Sequence, residues 1–330
     1  NVSILTFFYI LAGVILVWMS AQRLEKYSIA SSLKFGVSPF LIGSTVIALG
    51  TSAPEIFTSL FAAFNGKFNM VVGNVIGSNV ANIALVFGLT LLILAIKNKK
   101  MASNINASSD VGILIFSTFI VCGVILFNPF SFISSIILLT SLLAVIFYWY
   151  LKNERISTNE EIVQEEFLFS KLLASIVVLV FAAWLITKGA LEVLLDLGVG
   201  ELFVGYTVLA IGTSIPEIAA SVALAIKGRH EAVVGTLIGS NIFNGLLVLA
   251  IPGFINNKFF FSKLLINPDL NSAGKWDINY LIPLMTLLLT VTVLFSMYVI
   301  LISKKPRKSS LVLALIFLSA YFISLVLAYK

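Results

Sequence analysis

Apolar residues run along this chain in ten blocks separated by short polar segments. The blocks cover roughly 3–22, 39–65, 70–96, 111–127, 130–151, 168–188, 202–226, 232–254, 278–303 and 309–329. Most are close to or longer than the ~20 residues a helix needs to cross a bilayer. None shows the sustained alternation of a lipid-facing barrel strand. The pattern therefore predicts an all-α membrane protein of ten transmembrane helices. Two interruptions are longer than the rest. Lys152 to Glu166 holds five glutamates and reads as a solvated linker, 152–167. A polar insert, Asn256 to Asp277, joins the eighth block to the ninth. The first block lacks a basic leader region and is long enough to span, so no cleavable signal peptide is expected.

Within the apolar blocks the polar residues repeat. Gly43 to Glu55 reads GSTVIALGTSAPE, and Gly205 to Glu217 reads GYTVLAIGTSIPE. The match continues through GNVIGSNVAN, Gly73 to Asn82, and GTLIGSNIFN, Gly235 to Asn244. At a constant offset of 162 residues, 21 of the 40 positions from Gly43 to Asn82 are identical. The chain thus divides into a first five-helix repeat, 1–151 with its motif at 40–82, and a second, 168–330 with its motif at 202–244. Five blocks separate matching positions. An odd number turns the second copy upside down, so the prediction is a 5+5 inverted-topology repeat with broken central helices.

Charge sets the orientation. With both termini outside, the inner loops hold 15 of the lysines and arginines and the outer segments hold 6, from Arg23, Lys26 and Lys34 at one end to Lys304, Lys305, Arg307 and Lys308 at the other. The positive-inside rule selects that arrangement and makes the linker cytoplasmic. Composition agrees with membrane residence: 59% of residues are hydrophobic and 11% charged, where a soluble domain has about 25% charged. The net charge of +6 comes from short loops and does not indicate nucleic acid. The single cysteine, Cys122, excludes an intrachain disulfide and reads as a small buried hydrophobe. The single histidine, His230, lies in a basic turn and is expected to be solvated. No His/Cys cluster has transition-metal spacing.

Of fifteen carboxylates, thirteen fall in loops or at block ends, Asp110, Glu192 and Asp196 among them. The other two, Glu55 and Glu217, fall mid-block at matching positions, with no lysine or arginine at similar depth. One charge at the bilayer centre costs at least ~2.5–3.5 kcal/mol on insertion scales. Such carboxylates must be protonated or must face a cation. Thr51 and Glu55 are i and i+4 and share a helix face, as do Thr213 and Glu217. Ser78 with Asn82, and Ser240 with Asn244, have the same spacing, and Ser52 and Ser214 add hydroxyls. Pro54 and Pro216 cannot donate to the carbonyls of Gly50 and Gly212. Carbonyls near Ala48, Gly50, Ala210 and Gly212 are therefore expected as additional ligands. The set is oxygen only, which suits a hard cation such as Ca2+, and two carboxylates neutralise one Ca2+. Gly43, Gly73, Gly77 and their partners read as close helix packing. Asn79 and Asn241 are open between helix-to-helix bonding and site contact.

GTSAPE and GTSIPE, each followed by GSN and then Asn82 or Asn244, resemble the two alpha repeats of the cation/Ca2+ exchanger superfamily, and most of all those of prokaryotic sodium/calcium antiporters. The resemblance implies transport by alternating access, with one Ca2+ position and neighbouring Na+ positions. On this chain the Ca2+ ligands would be Glu55, Glu217 and carbonyls near Thr51 and Thr213. Sodium ligands would come from Ala48, Thr51, Ser52, Ser78, Ala210, Thr213, Ser214 and Ser240. The first and sixth helices would slide across the site. Sodium-coupled members often carry aspartate where this chain has Asn244, and some where it has Asn82; here only two carboxylates remain in the site. The resemblance also implies a multi-pass prokaryotic cell (inner) membrane protein whose cargo is Ca2+ and Na+. No cofactor, enzymatic activity or obligatory protein partner is implied.

Na+/Ca2+ antiport leads, and the hydroxyl-rich GTS turns tip the balance toward Na+. H+/Ca2+ exchange, or exchange of another divalent ion, is the alternative, with H+ carried by the glutamates. A cation channel fits poorly, because a glutamate in an oxygen cage holds ions too tightly for rapid conduction. An intramembrane hydrolase lacks a histidine base, a Ser–Lys pair at depth and paired aspartates.

Overall fold

The computed structural model describes residues 4–34, 39–101, 108–152, 169–256, 278–304, 307–308 and 311–329. Each predicted block is helical over those residues. The charged linker beyond Lys152 and the insert beyond Asn256 fall outside them. The first repeat contains α1 (Ile4–Lys34), α2 (Pro39–Ile42), α3 (Ala48–Thr51), α4 (Ala53–Phe64), α5 (Phe68–Val80), α6 (Phe87–Ile96), α7 (Ser108–Phe127) and α8 (Phe132–Lys152). The second contains α9 (Phe169–Leu197), α10 (Glu201–Val204), α11 (Ala210–Thr213), α12 (Ile215–Ile226), α13 (His230–Phe243), α14 (Ile251–Asn256), α15 (Ile278–Lys304) and α16 (Leu311–Ala328). Four π-helical turns, Gly43–Ile47, Ala81–Val86, Gly205–Leu209 and Asn244–Val248, lie between these helices. A two-residue antiparallel pairing joins β1 (Lys100–Met101) to β2 (Arg307–Lys308).

Among the described residues six helices are long and apolar enough to cross a membrane, or eight if each of two bent pairs counts as one span. Ile4–Ser20 is a shorter apolar helix. The protein is thus an almost wholly helical, multi-pass membrane protein. Its outer helices present apolar side chains outward: Phe116, Phe119, Leu143, Phe147, Leu315 and Phe322 are each more than half exposed, as a lipid-facing surface requires.

The two central motifs pack on each other through glycine, with no room for a side chain. The turn Gly43–Ile47 lies against α13, and the turn Gly205–Leu209 lies against α5. A methyl group at Gly43 would sit 2.5 Å from the Ala232 carbonyl oxygen; at Gly205 it would sit 2.1 Å from that of Met70. Ala232 and Met70 are themselves 162 positions apart. The same exchange recurs with Gly73 against Leu202 O (2.1 Å) and Gly235 against Phe40 O (2.5 Å). It recurs again with Gly77 against Tyr206 O (2.6 Å) and Gly239 against Ser44 O (2.2 Å). Each glycine meets the partner that its counterpart's partner would predict. The packing role expected for Gly43, Gly73 and Gly77 is the one they have.

Helices α1 and α9 run antiparallel along one side of this centre. Gly13 fits against Ala182 and Ile186, and Gly189 against Thr6 and Ile10. At 31 and 29 residues both are longer than blocks 3–22 and 168–188; in α9 the added turns include Glu192, whose carboxylate has a partner on α1. Thr6 Oγ1 donates to Glu192 Oε2 at 2.6 Å, and Lys188 Nζ donates to the Tyr9 hydroxyl at 3.1 Å. Glu192 and Asp196, expected at a block end, therefore lie within α9.

Two further expectations change. His230 is not solvated: it is buried at the first residue of α13, beside Ala225 and Lys99. Asp110 does lie at a helix end, yet it is fully buried, where it accepts from Trp149 Nε1 at 3.0 Å and Lys152 Nζ at 2.7 Å. Burial is tolerable there because the charge is paired.

Candidate cation-binding site

Both central helices break at the serine of the GTS turn. Gly43–Thr51 meets Ala53–Phe64 at 46°, and Glu201–Thr213 meets Ile215–Ile226 at 41°. The hinge residues Ser52 (φ −82°, ψ −2°) and Ser214 (φ −81°, ψ 0°) have nearly identical backbones. Pro54 and Pro216 then sit in the first turn of α4 and α12, where a missing N–H costs least. The expectation of additional backbone ligands is modified at two positions. The Ala48 carbonyl accepts the Ser52 N–H at 2.9 Å, and the Ala210 carbonyl accepts that of Ser214 at 3.1 Å. The Ala48 carbonyl also accepts from Thr51 Oγ1 at 3.4 Å, whereas that of Ala210 retains a second lone pair. The carbonyls that proline deprives of their usual donor are those of Gly50 and Gly212.

The break sets Glu55 and Glu217 in the first turns of α4 and α12, both buried to 1% exposure or less. Glu55 faces Thr213, Glu217 faces Thr51 and Ser52, and the two carboxyls lie within each other's electrostatic field. Each carboxylate is thus surrounded by the other repeat's GTS turn. Thr213 Oγ1 donates to its own helix at Leu209 O (2.9 Å), so its lone pairs are free to face the centre. Thr51 Oγ1 lies 3.4 Å from Ser240 Oγ, which brings α13 into the site. The backbone at Ala48 and Ala210 reaches the same place, since Gly239 and Gly77 pack directly on their Cβ atoms.

None of the four carboxyl oxygens of Glu55 and Glu217 has a well-formed hydrogen bond, although the hydroxyls of Thr213, Thr51 and Ser52 face them. Ser52 Oγ, Ser214 Oγ and both polar atoms of the Asn82 and Asn244 amides lack one as well. All six residues are essentially inaccessible. Buried polar groups are normally satisfied at a rate above 90%, so these oxygens mark the place as a candidate cation site, where the two carboxyls are protonated or face a cation. No lysine or arginine is among the buried residues described. No group of three or more His, Cys, Asp and Glu side chains occurs among them either, which leaves two carboxylates with neutral oxygens.

Sequence reading missed the π turns. Asn82 is the second residue of one, and Asn244 opens another. A π turn inserts one residue and rotates the rest of the helix about its axis, a device common at functional sites. Hydrophobic spacing cannot register it, since one inserted residue leaves the apolar block intact. For Asn79 and Asn241 the structure shows neither a helix-to-helix bond nor a site contact. Asn241 Nδ2 donates to Leu237 O within its own helix (2.7 Å), whereas Asn79 Nδ2 packs beside Gly245.

The chain is similar to known proteins over most of its length. The chain is 30% identical over 272 residues to the putative antiporter CaxA of Alkalimonas amylolytica, covering 75% of this chain and 82% of that protein. It is 31% identical over 264 residues to the inner membrane protein YrbG of Escherichia coli strain K12, covering 74% and 78%. Among solved structures, the sodium-calcium exchanger NCX_Mj soaked with Na+ and Sr2+ superposes with a TM-score of 0.68 at 27% identity over 98% of each chain. The family described as sodium/calcium exchanger protein matches residues 5–151 and 167–330, nearly the whole length. Twin carboxylates, paired GTS turns and matched chain length converge: this chain belongs to the sodium/calcium exchanger protein family.

Proposed function

We propose that the chain is a secondary antiporter that exchanges Ca2+ for Na+ by alternating access. It has ten membrane-spanning helices in two inverted sets of five, residues 1–151 and 168–330, with both termini outside. The observation that carries this reading is the facing pair Glu55 and Glu217, buried without a well-formed hydrogen bond and faced by the hydroxyls of Thr213, Thr51 and Ser52. The reciprocal glycine contacts support the inverted arrangement, because matching residues then approach the centre from opposite sides. Ca2+ would be held by Glu55, Glu217 and the carbonyls near Thr51 and Thr213. Na+ would be held by combinations of Ala48, Thr51, Ser52, Ser78, Ala210, Thr213, Ser214 and Ser240, with Asn82 and Asn244 at the edges. The paired helices α1 and α9 cover one side of the site and would move as one unit, since Thr6–Glu192 and Lys188–Tyr9 tie them together.

The site performs no bond chemistry; its work is selection by charge and coordination number. One Ca2+ on two carboxylates leaves zero net charge. Three Na+ would leave a single positive charge, so exchange would sense voltage at ~2.3 kcal/mol per charge per 100 mV. One observation favours a second reading: both amides, Asn82 and Asn244, stand where a third carboxylate would stabilise extra Na+. Coupling to H+ through the glutamates is that reading. Ca2+ flux in sealed proteoliposomes, under separately imposed Na+, H+ and K+ gradients, decides between them. We expect uptake driven by an outward Na+ gradient and accelerated by the appropriate membrane potential. Uptake driven by a pH gradient alone rejects Na+ coupling.

A further inference from the structure

Asn74 stands on α5 one turn before Ser78, and Ser59 stands on α4 one turn after Glu55. Asn74 Nδ2 donates to Ser59 Oγ at 2.9 Å, and Ser78 Oγ donates to Asn74 Oδ1 at 3.3 Å. All three side chains are fully buried. One carboxamide therefore ties α4 to α5 and also engages the only proton Ser78 can donate. A hydroxyl whose hydrogen is engaged presents its lone pairs elsewhere, which is what a cation requires of a neutral oxygen ligand.

The second repeat has Ser221, Thr236 and Ser240 at the corresponding places. Thr236 supplies one hydroxyl where Asn74 supplies a donor and an acceptor on a longer stem. Neither Thr236 Oγ1 nor Ser221 Oγ has a hydrogen-bond partner, though both residues are fully buried. Ser240 Oγ has Thr51 Oγ1 at 3.4 Å as its neighbour instead, and either hydroxyl can be the donor. The hydrogen of Ser78 is taken by an amide oxygen, whereas Ser240 has only the hydroxyl of Thr51, which itself reaches Ala48 O at 3.4 Å.

We infer that Asn74 is a positioning residue that sets Ser78 as an acceptor-only oxygen, so that the monovalent ion held on the Ser78 side binds at lower concentration than the one held on the Ser240 side. The inference rests on the antiport reading above. It concerns Na+ specifically, because the divalent ion takes its affinity from ionised carboxylates rather than from a serine.

The test is the exchange of the two residues. Asn74→Thr gives the first repeat the second repeat's side chain; Thr236→Asn does the reverse. Each is reconstituted in proteoliposomes beside the parent chain. The Na+ concentration for half-maximal Ca2+ release is measured, as is the Ca2+ half-saturation with no Na+ on the same face. Asn74→Thr should raise the Na+ value about fivefold, the effect of one net hydrogen bond, while the Ca2+ value stays within about twofold. Thr236→Asn should lower the Na+ value. An unchanged Na+ value in Asn74→Thr overturns the inference. So does a proportional shift for both ions, which is what a merely structural tie would give. If Asn74→Thr does not reach the membrane folded, Thr236→Asn decides alone: a lower Na+ value supports positioning, and an unchanged or higher one refutes it. Parent flux that ignores Na+ altogether removes the antiport reading itself, an outcome distinct from the others.

Discussion

Between residues 39 and 82 the first repeat places Pro39, Ser44, Lys67 and Asn74 where the second places Glu201, Tyr206, Arg229 and Thr236. These exchanges change size, charge and hydrogen-bonding capacity. By contrast, Gly43, Gly73 and Gly77 are unchanged in the second copy, and so are Thr51, Ser52, Pro54, Glu55, Ser78 and Asn82. The difference separates two kinds of constraint. The glycine of each close backbone contact between the two motifs is kept in both copies, while the residue whose carbonyl it meets is free to change, as Ser44 and Tyr206 do. Lys67 and Pro39, and their counterparts Arg229 and Glu201, show the other kind of position, where the copies have diverged. Lys67 pairs with Glu201 at 3.0 Å across the two repeats, but the inverse pairing cannot form, because Arg229 corresponds to Lys67 while Pro39 corresponds to Glu201.

The comparison breaks most decisively at the carboxylates. Glu55→Gln and Glu217→Gln should each reduce Ca2+ flux at least ~100-fold while folded protein remains in the membrane, since each removes half the charge that compensates one divalent ion. Normal Ca2+ flux from either variant means that the two motifs do not share one site. The backbone contacts are next. Gly73→Ala and Gly205→Ala both drive a methyl group to 2.1 Å from a carbonyl oxygen of the other repeat. Each should cost about 1–3 kcal/mol or more, as overpacking does, seen as a lower midpoint in thermal unfolding in detergent. Gly112→Ala on α7 meets nothing within 4 Å and should be neutral or stabilising by up to ~1 kcal/mol. Equal midpoints for Gly73→Ala and Gly112→Ala would show that the reciprocal contacts are soft.

A finer measure comes from the asparagines. Asn82→Asp and Asn244→Asp each add a carboxylate beside an existing pair and should shift the Na+ titration of Ca2+ flux by several-fold. A titration unchanged by Asn244→Asp removes that residue from the site. The smallest effect belongs to Lys67→Ala. Its ion pair with Glu201 is about one-third and one-quarter exposed, so its loss should cost less than ~1 kcal/mol. A larger drop in the unfolding midpoint would make this contact a principal link between the repeats.

Much of the site could be read in the sequence because apolar surroundings make polar residues conspicuous. Glu55 and Glu217 stand out in their blocks, and their i and i+4 neighbours emerge from helix geometry alone. The glycine contacts could be assigned to packing, yet their partners could not, since pairing across repeats is a tertiary fact. The π turns before Ala48 and at Asn82 have no period of their own. The length of α9 was hidden because Glu192 looks like a loop residue until Thr6 is found opposite it. His230 misled in the same way: a polar residue in a basic turn reads as wet, but the turn folds under Lys99, whose ammonium donates to Ile226 O at 2.8 Å.

The absence of buried lysine or arginine among the described residues has a bearing on leakage. A bare centre with both carboxyls ionised would drag two uncompensated negative charges through the low-dielectric interior, where even one costs at least ~2.5–3.5 kcal/mol. A fixed cationic side chain would remove that barrier and let the protein return empty. Without one, a carrier working by the proposed alternating access would stay facing one side while its carboxyls are ionised and empty. Stored ion gradients would then be protected from slippage, because each reversal would need a cation or protons on the two carboxyls.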